Sequence, residues 1–163
     1  MIIFIDIDGT ISDASARLPF VMGPGKKNWD AFHDPGLVAA DPPIEAAREA
    51  LSEIFGCSEI YTPIIMTGRP SRLRSVTEKW LVTHFGIDTT PTVGCLDATP
   101  LLMRPDRDYA SSVEYKCRQI SETLSHYPNS PMLFIDDDLR NKEMYLEYGL
   151  FIHAPDCWKV VHF

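Results

Sequence analysis

Residues Phe4-Ile5-Asp6-Ile7-Asp8-Gly9-Thr10 form the most informative stretch of this 163-residue chain. The apolar residues before and between the two acids are typical of a strand buried on both faces, as in a parallel sheet. We predict a strand at about residues 2–7 that ends in a turn at Gly9. Ligands of open α/β sheets bind at the carboxyl ends of the strands. Asp6 and Asp8 therefore indicate a functional site at that edge.

The composition is that of an ordinary globular domain, with 45% hydrophobic and 23% charged residues. We expect a single domain over residues 1–163 that is large enough to bury its own core. No apolar run approaches the ~18 residues of a membrane span, so no membrane association is expected. The four cysteines form no Cys-x-x-Cys pair, and we interpret them as reduced thiols of a cytoplasmic protein.

The net charge of −8 argues against an extensive nucleic-acid-binding surface. Neutralising a phosphate backbone needs clustered Lys and Arg side chains. A local basic pocket for one phosphate group remains compatible with this charge.

Apolar strands alternate with amphipathic helices along the chain, which predicts a mostly parallel sheet with helices on both faces. After the first strand, we predict strands at about 60–66, 91–96, 131–135 and 150–153. Helices are predicted at about 44–56, at 71–85, after the capping residue Ser111, and at 139–148. Residues 12–43 are rich in Gly, Pro and polar side chains and are predicted to form an irregular flap or small cap.

Three predicted strands end in polar clusters, which are Asp6/Asp8, Thr67-Gly68-Arg69 and Asp136-Asp137-Asp138. If these strands are parallel neighbours, the clusters lie at one edge of the sheet. Carboxylates within ~4–6 Å of each other raise each other's pKa, and a divalent cation compensates for their repulsion. All-oxygen ligation favours Mg²⁺, which also accepts phosphate oxygens.

With Mg²⁺ present, one aspartate can act as a nucleophile and a second as a general acid and then a general base. A hydroxyl, backbone N–H groups at a glycine turn and a lysine would bind a dianionic group. This set of groups fits phosphoryl transfer, which needs positioning and charge stabilisation above all.

The order of these motifs resembles the haloacid dehalogenase superfamily of phosphohydrolases over nearly the whole chain. Asp6-Ile7-Asp8-Gly9-Thr10 matches the first motif of that superfamily, Asp-x-Asp-Gly-Thr. The resemblance implies that Asp6 forms a phospho-aspartyl intermediate and that Asp8 protonates the leaving group and then activates water. Thr67 matches the second motif, which binds the phosphoryl group. Lys116 is the candidate for the third motif, with Lys142 as the alternative.

Asp136 and Asp137 match the fourth motif, and the resemblance implies that they complete a Mg²⁺ site with Asp6 and Asp8. Three consecutive aspartates leave the register open, so Asp138 is the alternative second acid of this motif. Dehalogenase members of the superfamily lack an acid at the position of Asp8, which favours phosphate-ester chemistry here. The resemblance also implies a three-layer α/β/α, Rossmann-like fold with a minimal cap.

A closer resemblance is to the phosphatase domain of phage-type polynucleotide kinases, which removes a 3′-phosphate from nucleic-acid ends. It is carried by residues 67–69, 103–109, 135–137, 143–144 and 157–160. Gly68, Arg69 and Arg104 are the candidate substrate-binding residues, because an Arg guanidinium matches the geometry of phosphate oxygens. The sequence contains no Gly-x-x-x-x-Gly-Lys-Ser/Thr loop, so kinase chemistry is not expected of it.

We therefore expect a Mg²⁺-dependent phosphomonoester hydrolase that acts on a polynucleotide 3′-phosphate or a nucleotide. Two alternatives remain open at this point: a small-metabolite or nucleotide phosphatase of the same superfamily, and a catalytically silent binding module with the same fold. The flap is too short to form a separate specificity domain, so the site is open to large substrates or borrows a partner subunit as a lid. Trp29 and Phe32 are candidates to stack on a base or to anchor the flap.

Overall fold

The computed structural model describes residues 1–56, 60–89 and 99–154 of the chain. Within these ranges, five strands form one open sheet in the order β3-β2-β1-β4-β5, and every strand pair is parallel. The strands are β1 (Ile2–Ile5), β2 (Thr62–Pro70), β3 (Leu101–Arg104), β4 (Met132–Asp136) and β5 (Leu150–His153). The predicted α/β class with a parallel sheet is confirmed.

Strand β1 lies at the centre of the sheet because its apolar residues can be covered on both faces. All four of its residues are buried. The register pairs Ile5 with Ile65 on β2 and with Ile135 on β4. The carboxyl ends of the three central strands are therefore aligned, and the residues that follow them lie side by side.

Helices cover both faces of the sheet. The longer helices are α4 (Glu45–Gly56), α5 (Arg74–Phe85) and α6 (Ser112–His126), and the short helix α7 (Lys142–Leu146) follows β4. Alternate residues of a strand point to opposite faces. Ile3 and Ile5 accordingly pack with α4 and α5, whereas Phe4 packs with α6 and α7. The result is three layers around two apolar clusters.

Several element boundaries differ from the sequence prediction. The strand predicted at 91–96 lies outside the described residues, and the edge strand β3 was missed, because four residues between two prolines give little periodic pattern. Strand β2 continues beyond the predicted end to Pro70. The helices predicted from 71 and 139 each begin with a 3₁₀ turn, Ser71–Leu73 and Leu139–Asn141.

The flap at 12–43 is more ordered than predicted. It contains three short helices, α1 (Pro19–Met22), α2 (Trp29–Phe32) and α3 (Pro35–Ala40). Phe32 and Val38 are both buried, and Val38 packs in the apolar cluster that contains Ile3 and Ile5, whereas Trp29 is 51% exposed. None of the helices in the described ranges has the length and apolar character that crossing a lipid bilayer requires.

Candidate active site

A buried lysine joins the first and last acidic motifs at the carboxyl edge of the sheet. Lys116 Nζ lies 2.9 Å from Asp6 Oδ1 and 2.6 Å from Asp136 Oδ2. Asp6 directly follows β1 and Asp136 ends β4, so the parallel register places them together. The alternative lysine, Lys142, is exposed. The structure thus places Lys116, and not Lys142, beside the first and last acidic motifs.

Three carboxylates form a compact group at this edge. Asp6, Asp136 and Asp137 each offer an oxygen, and the three atoms lie within 4.8 Å of one another. Burial raises the pKa of Asp6 well above its usual value, and the charges of Asp136 and Asp137 add to this effect against the opposing charge of Lys116. Burial and Asp136 raise the pKa of Asp137 to about 6. The three carboxylates are crowded together, and this crowding disfavours their ionised forms. A divalent cation such as Mg²⁺ fits this set of oxygen ligands, because its charge offsets their repulsion.

The carboxylate of Asp136 is held by groups that sequence reasoning did not identify. Its Oδ2 accepts hydrogen bonds from Asn141 Nδ2 at 3.0 Å and from Tyr145 Oη at 2.5 Å, in addition to Lys116. Its Oδ1 accepts a hydrogen bond from the backbone N–H of Asp138 at 2.8 Å. Neither Asn141 nor Tyr145 belongs to a motif; only their position in the turn and helix after the acidic strand could have suggested them.

Asp137 and Asp138 have different surroundings. The backbone N–H of Asp137 donates to Thr10 Oγ1 at 3.0 Å, and this contact ties the fourth motif to the first. The side chain of Asp138 caps the following 3₁₀ turn by accepting from the N–H of Arg140 at 3.0 Å. The geometry favours Asp137 as the second acid, because it is Asp137 that lies in the three-carboxylate group.

Asp8 is paired with two buried arginines. Its Oδ1 lies 2.6 Å from Arg69 Nη2 and 2.6 Å from Arg17 Nη2, and both arginine side chains are 0% exposed. Burial alone would raise the pKa of Asp8, but the charges and hydrogen bonds of Arg69 and Arg17 outweigh it and lower the pKa to about 2. The Asp8 carboxylate thus faces the arginines, and its expected part in metal binding stays a prediction.

A further carboxylate, Asp41, fixes both arginines and was not predicted. Arg17 Nε donates to Asp41 Oδ1 at 3.0 Å, and Arg69 Nη2 lies 3.4 Å from Asp41 Oδ2. Trp80 Nε1 donates to the backbone carbonyl of Asp41 at 2.8 Å. Arg17 and Asp41 lie within a flap of irregular pattern, so nothing in the sequence distinguishes them from surface residues.

The remaining predicted site residues lie on β2 and β3. Thr67 is fully buried, and its Oγ1 accepts from the N–H of Arg69 at 3.2 Å. The space around Gly68 is open, because a Cβ there would meet no atom within 4 Å. Arg104 donates to the carbonyl of Ala110 at 2.7 Å and its guanidinium lies 4.7 Å from the ring of Tyr115. The substrate-binding roles of Gly68, Arg69 and Arg104 stay predictions.

No family model and no curated protein matches the chain. Among solved structures, it is similar to a chain of the Pnkp1/Rnl/Hen1 complex, with a TM-score of 0.63 and 20% identity over 94% of this chain and 44% of that chain. A second similar chain comes from the Pnkp1/Rnl/Hen1 RNA repair complex, with a TM-score of 0.60 and 19% identity over 94% of this chain and 41% of that chain. At this level of identity the likeness establishes the fold. The chain spans less than half the length of both neighbours.

Proposed function

We propose that this protein is a Mg²⁺-dependent phosphomonoesterase that forms an aspartyl-phosphate on Asp6 and acts on 3′-phosphorylated nucleic-acid ends. The observation that carries the proposal is the bridge from Lys116 to Asp6 and Asp136 beside the carboxylate of Asp137. A nucleophile, a fixed positive charge and an oxygen-rich cation site then meet at the open edge of the sheet. Magnesium held by Asp6, Asp136 and Asp137 would offset their repulsion and supply positive charge to the phosphoryl oxygens.

The first half of the reaction is carried by Asp6. Its carboxylate oxygen attacks phosphorus, and the bond between phosphorus and the leaving oxygen breaks. Lys116 and Thr67 stabilise the charge on the phosphoryl oxygens. A proton from Asp8 neutralises the leaving alkoxide, and a dianionic phosphoryl group beside Asp8 favours the protonated form by charge repulsion.

The second half returns the free enzyme. A water molecule attacks the phosphorus of the aspartyl-phosphate, and Asp8 accepts its proton. The ionised form of Asp8 is the one that Arg69 and Arg17 stabilise, so the general base is ready for this step. Inorganic phosphate leaves and Asp6 is again a free carboxylate.

Two observations support a nucleic-acid end as the substrate. The fold is shared with chains from a complex described as an RNA repair complex. The flap is short, so we expect room above the carboxyl edge for a polymeric substrate. The small-metabolite alternative keeps the same chemistry and differs only in what occupies the space above the site. The silent-module alternative is disfavoured, because each motif residue is present and four of them converge: Asp6, Lys116, Asp136 and Asp137.

The test is a phosphatase panel in the presence of Mg²⁺, with sugar phosphates, nucleotides, phosphopeptides and oligonucleotides phosphorylated at the 3′ or 5′ end. We expect the highest kcat/KM on the 3′-phosphorylated oligonucleotides and no turnover by Asp6→Asn on any substrate. Higher kcat/KM on a nucleoside monophosphate would support the metabolite alternative. Inactivity of the wild type on the whole panel would support the silent module, and an active Asp6→Asn variant would show that the nucleophile is another residue.

A further inference from the structure

Two exposed aromatic side chains are carried by segments that border the candidate site. Trp29 is 51% exposed on the flap, and Tyr109 is 91% exposed in the loop after β3. Three exposed cations accompany them, Lys27, Arg72 and Arg107. We call these five residues the aromatic rim. The mechanism proposed above uses none of them.

The flap side of the aromatic rim is attached directly to the site. The Arg17 guanidinium donates to Asp8 at 2.6 Å and to the backbone carbonyl of Phe32 at 2.8 Å. A single guanidinium group therefore connects the end of helix α2 to Asp8, the candidate general acid. Trp29 begins this helix and precedes Phe32 by less than one turn of about 5.4 Å. The exposed indole thus stands on the short helix that Arg17 links to Asp8.

The indole of Trp29 is held in place by its neighbours. Its ring stacks on His33 at 5.9 Å and meets Phe32 edge-on at 5.7 Å. Burial lowers the pKa of His33 to about 4, so this imidazole is an uncharged aromatic ring at neutral pH. Lys27 Nζ lies 5.8 Å from the indole. A ring that is already fixed loses little conformational freedom when it stacks on a ligand.

The rim continues from the flap to the loop after β3. Arg72 Nη2 lies 3.5 Å from Asp30 of α2, and the backbone N–H of Arg72 donates to Asp106 Oδ1 at 3.0 Å. The N–H of Asp106 in turn donates to Ser71 Oγ at 3.2 Å. The loop that carries Arg107 and Tyr109 is therefore joined to α2 through the turn after β2. Because β2 and β3 are parallel neighbours, this loop lies at the same edge as the site.

We propose that the aromatic rim binds the nucleotides on the 5′ side of a single-stranded 3′-phosphorylated end, a role that rests on the function proposed above. Bases stack on Trp29 and Tyr109, and Lys27 and Arg107 bind the phosphates. Arg72 pairs with Asp30 and Asp106 and joins the two segments of the rim. Stacking on aromatic side chains with cations along the backbone is how proteins bind single strands without sequence preference. The bases of a duplex are already stacked on each other, so the rim selects unpaired ends.

The test compares Trp29→Ala, Tyr109→Ala and the double variant with Tyr127→Ala, a matched control. Tyr127 is 45% exposed and follows the far end of α6, eleven residues beyond Lys116. Substrates are 3′-phosphorylated single strands of one to six nucleotides, a blunt duplex with the same end, and nitrophenyl phosphate. We expect the wild-type KM to fall with strand length, and the double variant to raise the KM of the hexanucleotide about tenfold or more. Its kcat/KM on nitrophenyl phosphate and on the mononucleotide should stay within about twofold of the wild type, as should all values for Tyr127→Ala.

The proposal would be overturned by a KM that does not depend on strand length, by a double variant that behaves like the wild type on the hexanucleotide, or by a duplex bound as well as the single strand. An equal loss on all substrates would also overturn it by assigning Trp29 and Tyr109 a structural role. If the wild type hydrolyses no phosphate ester, the proposed function fails, and the rim is tested by fluorescence anisotropy with an unphosphorylated labelled hexanucleotide. Binding that weakens about tenfold in the double variant but not in Tyr127→Ala would still support the rim, and no binding would overturn it.

Discussion

At the scale of single residues, the site depends on how buried charges are paired. Burial alone would lower the pKa of Lys116, but the charges of Asp6 and Asp136 outweigh it and keep this lysine protonated. The same arrangement is repeated at Asp8, where Arg17 and Arg69 stabilise the carboxylate. Removing one partner of a buried pair leaves an uncompensated charge and costs about 3–5 kcal/mol. Each member of these buried ion pairs therefore contributes to folding as well as to the proposed chemistry.

The role of Asp8 as an acid can be separated from its role in folding by varying the leaving group. Asp8→Asn keeps the shape of the side chain but cannot donate a proton to an alkoxide. We expect kcat on an alkyl phosphate or an oligonucleotide 3′-phosphate to fall about 10²-fold or more, and kcat on nitrophenyl phosphate to fall much less, because nitrophenolate leaves without a proton. Steady-state kinetics on both substrates measure the difference. Equal losses on the two would contradict the acid role.

The site requires a glycine at position 9, because a larger side chain does not fit there. Its φ is +87°, and a Cβ at this position would overlap the carboxylate of Asp137. We expect Gly9→Ala to displace Asp137, to cost about 1–3 kcal/mol of folding free energy from the left-handed backbone, and to abolish most activity. Urea unfolding and phosphatase assays measure these effects. Gly25→Ala is the control, since a Cβ there meets no atom within 4 Å, and it should change neither quantity.

At the scale of the secondary-structure elements, helix α6 positions Lys116, the lysine of the candidate site. Ser111 and Glu114 form a capping box at its start, with Ser111 Oγ accepting from the N–H of Glu114 at 3.2 Å and Glu114 Oε2 accepting from the N–H of Ser111 at 2.8 Å. Lys116 lies in the second turn of this helix, five residues after its cap. The cap therefore fixes where the helix starts. Because Lys116 is a set number of residues from that start, the cap also fixes the position of Lys116 relative to the edge of the sheet.

Loss of this cap should weaken both the fold and the site. We expect Ser111→Ala to lower the free energy of unfolding by about 1 kcal/mol, because it leaves N–H groups of the first turn without an acceptor. Activity should fall by less than an order of magnitude, since Lys116 keeps its two ion pairs. Urea denaturation gives the first quantity and kcat the second. Ser125→Ala, at the exposed far end of the same helix, should change stability by less than about 0.5 kcal/mol. A Ser111→Ala variant as stable as the Ser125→Ala control would show that the capping box does not stabilise α6.

At the scale of the whole molecule, the arrangement of parallel strands concentrates acidic groups at one edge. Asp6, Asp136 and Asp137 are on two neighbouring strands that are more than 120 residues apart in the chain, and Lys116 comes from a third element. Their mutual repulsion is part of the free energy of the fold. A cation at this edge should therefore act on stability as well as on catalysis.

The pH dependence of stability should report this repulsion. The pKa of Asp137 in the folded protein is about 6, above its ordinary value of about 3.9. Between those values the folded chain keeps a proton that the unfolded chain has lost, so the contribution of Asp137 to stability falls as pH rises from about 4 to 6, by up to about 3 kcal/mol. The measurement is urea unfolding of the wild type and of Asp137→Asn in the presence of EDTA. The difference between their free energies of unfolding, wild type minus variant, should decline from about pH 4 to 6 and stay level above this window.

Magnesium should reverse this decline, because it favours the ionised carboxylates. We expect added Mg²⁺ to raise the unfolding temperature above about pH 6 and to have little effect near pH 4, where Asp137 is protonated. Asp8 does not interfere, since its pKa of about 2 places its own loss of stabilisation below this range. A difference between wild type and Asp137→Asn that is constant from pH 4 to 7, with or without Mg²⁺, would contradict the shared-cation interpretation.

The local pattern of the sequence was sufficient for most of the framework. The apolar run before Asp6 predicted the central strand, and the capping residue Ser111 predicted where α6 begins. The acids that follow β1 and β4 predicted a common edge, because parallel strands align their carboxyl ends. Each of these features depends only on the hydrophobic periodicity or the end signals of one segment. They could therefore be predicted without knowing which segments contact each other in the fold.

Only the tertiary structure decided which side chains pair within the site. Arg17 and Asp41 lie in a flap without a distinctive pattern, yet folding buries them against Asp8 and Arg69. The short strand β3 and the contact of Tyr145 with Asp136 were likewise missed. The physical reason is that a charged residue can be buried only when a partner from elsewhere in the chain compensates for its desolvation. Such pairs arise from three-dimensional packing, and neither partner carries a local signal of the other.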